Sequence, residues 1–166
     1  YSDRFENLRH QRYILGFPDG LFHPERFLTR AELAAIVARM TENVLLSGPL
    51  PFSDVPAGHW AENYIRIAVK HGYFSGYEDG TFRPEDPVTR GELAAVMVRF
   101  LKISADKPTE YYFTDSEGHW AGAAIEALYR GKFVSGYPDG SFKPDDSIIR
   151  TEAVTMINHM LYRGPL

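Results

Sequence analysis

The chain has 166 residues, 44% of them apolar and 24% charged, which is ordinary for a water-soluble fold and long enough for one sizeable domain or several small units sharing a core. Its 18 basic and 22 acidic residues give a net charge of −4, which argues against a nucleic-acid partner, since phosphate binding draws on a basic surplus. Cysteine is absent, excluding disulfides, cysteine-ligated metals and cysteine nucleophiles, and the longest apolar runs, such as 93–98, fall far short of a membrane span.

The opening Tyr1-Ser2-Asp3-Arg4 carries no leader pattern and reads as the interior of a longer protein. The first readable element is the loop Gly16-Phe17-Pro18-Asp19-Gly20-Leu21-Phe22-His23-Pro24, turned by its Asp-Gly pair. A helix follows. Thr29 and Glu32 form a capping box, and Leu33, Ile36, Val37 and Met40 make a buried stripe at i, i+3, i+4 and i+7. Residues 41–51, with Pro49 and Pro51, read as a connector. Next comes Phe52-Ser53-Asp54-Val55-Pro56-Ala57-Gly58-His59-Trp60-Ala61, then a helix over 60–71 with Ala61, Ile65, Ala68 and Val69 on one stripe and Gly72 as its stop. The loop 76–84 repeats the first loop. Thr89 and Glu92 cap a helix striped by Leu93, Val96, Met97 and Phe100. A second connector, 102–112, leads to the block 113–121, a helix over 120–130 stopped by Gly131, the loop 136–144, and a last helix striped by Ala153, Met156, Ile157 and Met160. Ile149 stands where the capping threonine is expected, so this last cap is weakened.

The three loops recur at a constant step of 60 residues, and the same step carries Arg30 to Arg90 to Arg150 and Glu32 to Glu92 to Glu152. The chain is therefore three copies of one helix-loop-helix unit, at 1–40, 52–101 and 113–162, and the first copy lacks the block that carries tryptophan. A helix pair this small cannot bury its apolar faces alone. The copies are expected to form one all-α domain packed around a pseudo-three-fold axis, with a linear solenoid as the alternative.

Arg30, Arg90 and Arg150 fall in the first turn of a helix, where the macrodipole disfavours a cation. Stability alone does not explain three arginines there; a bound carboxylate does, and pairing with Glu32, Glu92 or Glu152 is the structural alternative. Trp60 and Trp120 are either sugar-facing rings or core anchors, and Asp54 and Asp115 either accept sugar hydroxyls or cap a turn. Gly76 and Gly136, flanked by Ser75, Tyr77, Ser135 and Tyr137, allow close approach of a ligand or a neighbouring element. Asp79-Gly80 and Asp139-Gly140 read as turn formers, since they lack the alternating acids of a calcium loop. His59 and His119 read as structural residues. No metal or cofactor site is expected. No asymmetric catalytic set stands out either, because every polar feature recurs with the repeat.

The ordered set Phe52, Asp54, His59, Trp60, Ala61, then Ser75, Gly76, Tyr77, Asp79, Gly80, Thr81, Phe82, Pro84, then Thr89, Arg90, Glu92 resembles the surface-layer homology domain. Repeat three departs from the pattern at Ser141, Ile149 and Thr151, and repeat one at Leu15, Phe17 and Leu21. The resemblance implies a pseudo-trimeric helical spindle that anchors an exported protein at the bacterial cell surface. It implies no enzymatic activity. The partner it implies is secondary cell-wall polysaccharide whose terminal N-acetylmannosamine carries a pyruvate ketal, with a protein–protein assembly role in a surface layer, or a peptidoglycan-linked polymer in an outer-membrane bacterium, as the alternatives. The arginines would meet the ketal carboxylate in clefts between repeats, with Asp54, Trp60, Ser75, Gly76 and Tyr77, and their counterparts Asp115, Trp120, Ser135, Gly136 and Tyr137, around them. Two complete clefts are expected, Arg30 with Asp54 and Trp60, and Arg90 with Asp115 and Trp120. The Arg150 cleft is expected to be incomplete, because the polar segment before Gly16 brings no tryptophan.

Overall fold

The computed structural model describes residues 14, 16, 21–42 and 44–162. Leu15, residues 17–20 of the first loop and the polar segment before Ile14 lie outside the described residues. The described residues form five helices and no strand: α1 (Arg30–Thr41), α2 (Glu62–Lys70), α3 (Arg90–Leu101), α4 (Gly122–Arg130) and α5 (Arg150–Tyr162).

Both expected capping boxes form. Thr29 and Thr89 each accept the backbone N–H of the glutamate three residues on, and Glu32 and Glu92 each return a carboxylate oxygen to the cap N–H at 2.9 Å. At the head of α5, Ile149 has no oxygen to offer, and one 3.4 Å bond from its N–H to Glu152 is what the box retains. Helices α2 and α4 start at Glu62 and Gly122, two residues later than expected, and their caps Ala61 and Ala121 make no side-chain bond.

Nearly every residue of α1 and α3 is buried, as expected of helices surrounded by protein on all sides. The shorter α2 and α4 bury one face, through Ile65, Ile67 and Ala68, and through Ala124, Ile125 and Leu128. Helix α1 packs on α2 and α3 on α4, so the main helix pairs join the end of one repeat to the start of the next.

The three repeats meet at the heads of α1, α3 and α5. Leu28 donates to the Ile148 carbonyl at 3.0 Å, Ile148 to Val88 at 2.9 Å, and Val88 to Leu28 at 2.8 Å, a closed ring of three backbone bonds among fully buried residues. The same crossing recurs one turn further. The N–H groups of Arg30, Arg90 and Arg150 donate to Asp86, Asp146 and Arg26, and those of Ala31, Gly91 and Thr151 donate to Pro84, Pro144 and Pro24. The first N–H groups of a helix have no partner inside it. Here the loop of another repeat supplies the carbonyls. A linear stack would leave repeats one and three without a common boundary, whereas Leu28–Ile148 and Arg150–Arg26 join them directly.

The loops of repeats two and three are held in turn by their own repeats. Asp54 accepts the N–H groups of Phe82 and Arg83 at 2.8 and 2.7 Å, and Asp115 those of Phe142 and Lys143 at 2.9 and 2.8 Å. Gly76 lies so close to the Phe52 ring and the Thr81 carbonyl that a β-carbon would collide with both, and Gly136 stands likewise against Phe113 and the Ser141 carbonyl. The close approach read from these glycines is thus to the protein's own aromatic rings.

Ile149→Thr should complete the third capping box and stabilise the chain by about 1 kcal/mol, and Thr89→Ala should cost about as much. Urea unfolding of the two variants beside the parent checks both signs.

Candidate functional site

All three arginines are buried, with Arg30, Arg90 and Arg150 only 6%, 7% and 2% exposed. Each Nε donates to a loop carbonyl of another repeat: Arg30 to Phe82 at 2.9 Å, Arg90 to Phe142 at 2.8 Å and Arg150 to Phe22 at 3.0 Å. Each guanidinium also lies over aromatic rings, Arg30 over Tyr77 and Phe82, Arg90 over Tyr137 and Phe142, and Arg150 over Phe22, with centroids 4.7–4.9 Å away. A fork held this way by Nε and ring faces keeps its outer nitrogens aimed in a fixed direction.

Those outer nitrogens differ among the repeats. Arg30 Nη1 meets Glu92 Oε1 at 3.0 Å and Arg150 Nη1 meets Glu32 Oε1 at 2.6 Å. Each of these glutamates divides its carboxylate, Oε2 to its own helix cap and Oε1 to the arginine of another repeat. The pairing weighed as the structural alternative is therefore present twice, and across repeat boundaries. At Arg90 the neighbour of Nη1 is the Met156 sulfur, 3.9 Å away.

The tryptophans are surface residues, 53% exposed at Trp60 and 64% at Trp120, so neither anchors the core. Their grouping with the arginines differs from the expected one. Trp60 shares a cavity of about 530 Å³ with Arg150, Glu32, Thr29 and Arg39, while Arg30 faces Ser75, Tyr77 and Glu92. His119 and Ala121, on either side of Trp120, stand against Gly91, the neighbour of Glu92, which puts this tryptophan on the Arg30 side. The cleft left without a tryptophan is that of Arg90. It is a cavity of about 860 Å³ lined by Ser135, Gly136, Tyr137, Ile149, Glu152 and Met156 among others. The physical reason is the crossing at the hub: each arginine reaches into the next repeat around the ring, so the missing block of repeat one is felt at Arg90 and not at Arg150.

Asp54 and Asp115 reach the clefts indirectly, since both oxygens of each carboxylate are engaged by the loop backbone that the arginines contact. His59 and His119 each accept the N–H of Ala61 or Ala121 through Nδ1 at 3.1 Å, fixing the turn into the following helix. Sequence reading weighed Glu32 and Glu92 as arginine partners but did not say which arginine each meets, or that the pairs cross repeat boundaries. It also missed Arg39, which lies over the Tyr64 ring beside Trp60.

The Asp-Gly turns work as read. Asp79 accepts from the Thr81 hydroxyl and N–H and pairs with Arg83, whose guanidinium covers the Tyr77 ring at 3.8 Å. Those bonds, the Thr81 hydroxyl foremost and Arg83 next, pull the Asp79 carboxyl down to about 2, and Ser141 lowers Asp139 likewise. Burial raises the Tyr77 phenol above its ordinary value.

Fold and clefts together define an all-helical repeat domain with an arginine at the floor of each boundary between repeats. The chain belongs to the S-layer homology domain family, whose model matches residues 10–34, 51–94 and 112–154, more than half of its length. It is 42% identical over 170 residues to cell surface glycoprotein 1 of Acetivibrio thermocellus, a match covering 95% of this chain and 7% of that protein. It is 41% identical over 165 residues to the cellulosome-anchoring protein of the same organism, covering 95% of this chain and 37% of that one. An S-layer protein of Bacillus licheniformis is 32% identical over 124 residues, 75% of this chain and 14% of its own length. The chain thus spans a small part of each relative.

A carboxyl group whose value falls on folding lends stability above its unfolded value, 3.8 for Asp79, and loses it as the pH falls through the folded value near 2. Carbon-detected NMR titration should place the Asp79 midpoint near 2 in the parent chain and closer to 3.8 in Thr81→Val, with the loop 77–83 loosening over the same pH range.

Proposed function

We propose that the chain holds a larger protein to the bacterial cell surface by binding wall polysaccharide in its arginine clefts, and that the group recognised is a carboxylate, such as a pyruvate ketal on a terminal N-acetylmannosamine. The observation that carries this reading is the buried, pre-aimed guanidinium at each repeat boundary, set beside an exposed tryptophan in the Arg150 cleft and on the Arg30 side. An arginine fork receives a carboxylate at two points, and its desolvated setting strengthens the charge-assisted bonds. An exposed indole offers the apolar surface that a sugar ring's C–H face needs. The anchoring and S-layer names of relatives sharing this domain support the same reading, as does their cell-surface setting.

Repetition suits anchoring. Several weak clefts on one rigid body, engaging one polymer or its neighbours, raise overall affinity through effective concentration. Catalysis would need carboxylates or nucleophiles in contrasting environments, whereas the clefts repeat one theme of arginine, ring and glutamate.

The test is co-sedimentation of the chain with purified wall polymer before and after mild acid removal of ketal-linked pyruvate. Binding should fall at least tenfold on removal, and Trp60→Ala should weaken it several-fold with the melting temperature unchanged. Equal binding to treated and untreated polymer would exclude the carboxylate. Binding to neither would exclude the anchoring role.

A further inference from the structure

The 60-residue step makes the clefts of Arg30 and Arg90 direct internal controls for each other: of the two acids paired at the first, Glu92 is matched at the second by Glu152, which lines the cavity without an ion pair among the described residues, and Glu42 is matched by a base. At Arg30 the guanidinium meets Glu92. At Arg90 the equivalent acid is Glu152, which forms no ion pair among the described residues. Without a threonine at 149 its carboxylate is held by one long cap bond. At the rim of the Arg30 cleft, Lys70 and His71 both contact Glu42, at 3.2 and 2.9 Å. Sixty residues on, Glu42 becomes Lys102, a reversal of charge, Lys70 becomes Arg130, and Gly72 becomes Lys132. Arg130 and Lys132 are exposed, line the same 860 Å³ cavity as Arg90, and form no ion pair among the described residues; the Arg130 side chain bonds only the Glu110 carbonyl.

Among the described residues, the cleft without a tryptophan is therefore the one whose floor and rim cations form no ion pair. In place of a tryptophan it carries positive charge at its floor and at its rim, beside Tyr129, Phe133 and Tyr137, and its larger volume leaves room for more than a terminal sugar. We propose that the Arg90 cleft is the chain's site for a doubly acidic saccharide, one carboxylate on the Arg90 fork and a second, on the adjoining sugar, at the Arg130 and Lys132 rim. This rests on the reading of the arginine clefts as carboxylate sites. It makes the three clefts unequal in ligand: those of Arg30 and Arg150 must displace a protein carboxylate to admit a ligand, and Arg90 need not. The two-point contact also fixes the direction of the polymer, acidic terminus inward and the next acidic sugar toward the start of repeat three's loop.

Calorimetry on the whole chain tests this with two disaccharides that share a pyruvate-ketal N-acetylmannosamine, one joined to glucuronic acid and the other to glucose. The diacid should bind the parent at least tenfold more tightly. Lys132→Gln, at an exposed position, should bring the diacid to within about threefold of the monoacid, leaving the monoacid unchanged. Met156→Glu, which sets a competing carboxylate beside Arg90, should abolish the diacid preference with Arg90 still in place. A parent that binds both disaccharides equally, or a preference that survives Lys132→Gln and Met156→Glu, would overturn the inference while leaving carboxylate anchoring intact. Binding of neither disaccharide would overturn both.

Discussion

The heads of α1, α3 and α5 each present backbone N–H groups that no residue of their own helix can accept, at a point where the surroundings are dry. Leaving such donors unmet costs a desolvation penalty of about 1–3 kcal/mol apiece. The carbonyls of another repeat's loop meet six of them in matching register, at 30, 90 and 150 and at 31, 91 and 151, and the ring of three bonds among Leu28, Val88 and Ile148 lies just ahead of the helices. Much else depends on this exchange. It decides which repeats are neighbours, places each loop against another repeat's helix, and delivers Phe22, Phe82 and Phe142 to the arginines. The loops can serve because Asp54 and Asp115 hold two of them open with paired N–H bonds, so these aspartates act on the clefts through the backbone.

A buried guanidinium is costly unless its nitrogens are met, and removing one member of a buried pair costs roughly 3–5 kcal/mol. The chain meets that demand by sharing. Glu32 and Glu92 each close a cap and an ion pair with one carboxylate, so helix initiation in one repeat and the charge balance of another are the same event. Where the cap threonine gives way to Ile149, the sharing fails, and Arg90 Nη1 is left with the uncharged Met156 sulfur as its neighbour.

Much of this was legible before any coordinates. Thr29, Glu32, Thr89 and Glu92 announced their helices through a motif with a local cause, and the stripes at Leu33 and Leu93 through period; both signals lie within one turn of chain. The arginines were legible because three cations at helix N-termini contradict the dipole. The partnership of Trp60 with Arg150 was not legible, nor was that of Arg30 with Glu92. A 60-residue step says which positions are equivalent but not which of them face each other, and the answer lies in backbone bonds between segments far apart in sequence. The exchange of Glu42 for Lys102 was invisible for the same reason: it matters only once Lys70 is known to stand beside Glu42.

The bonds that close the ring have an effect in time as well as in space. Arg150 reaches Phe22 across 128 positions of chain and Glu32 across 118, whereas Arg30 and Arg90 reach their loop carbonyls across 52. Contacts of such wide separation form late, because the entropy of closing the intervening segment must be met first. A chain emerging from its N-terminus can pair repeat one with repeat two early, yet the hub stays an open arc with one face uncovered until the last helix arrives. Folding is therefore gated by the end of the module, and a chain threaded through a membrane pore before residue 150 has passed has no completed domain to block its passage.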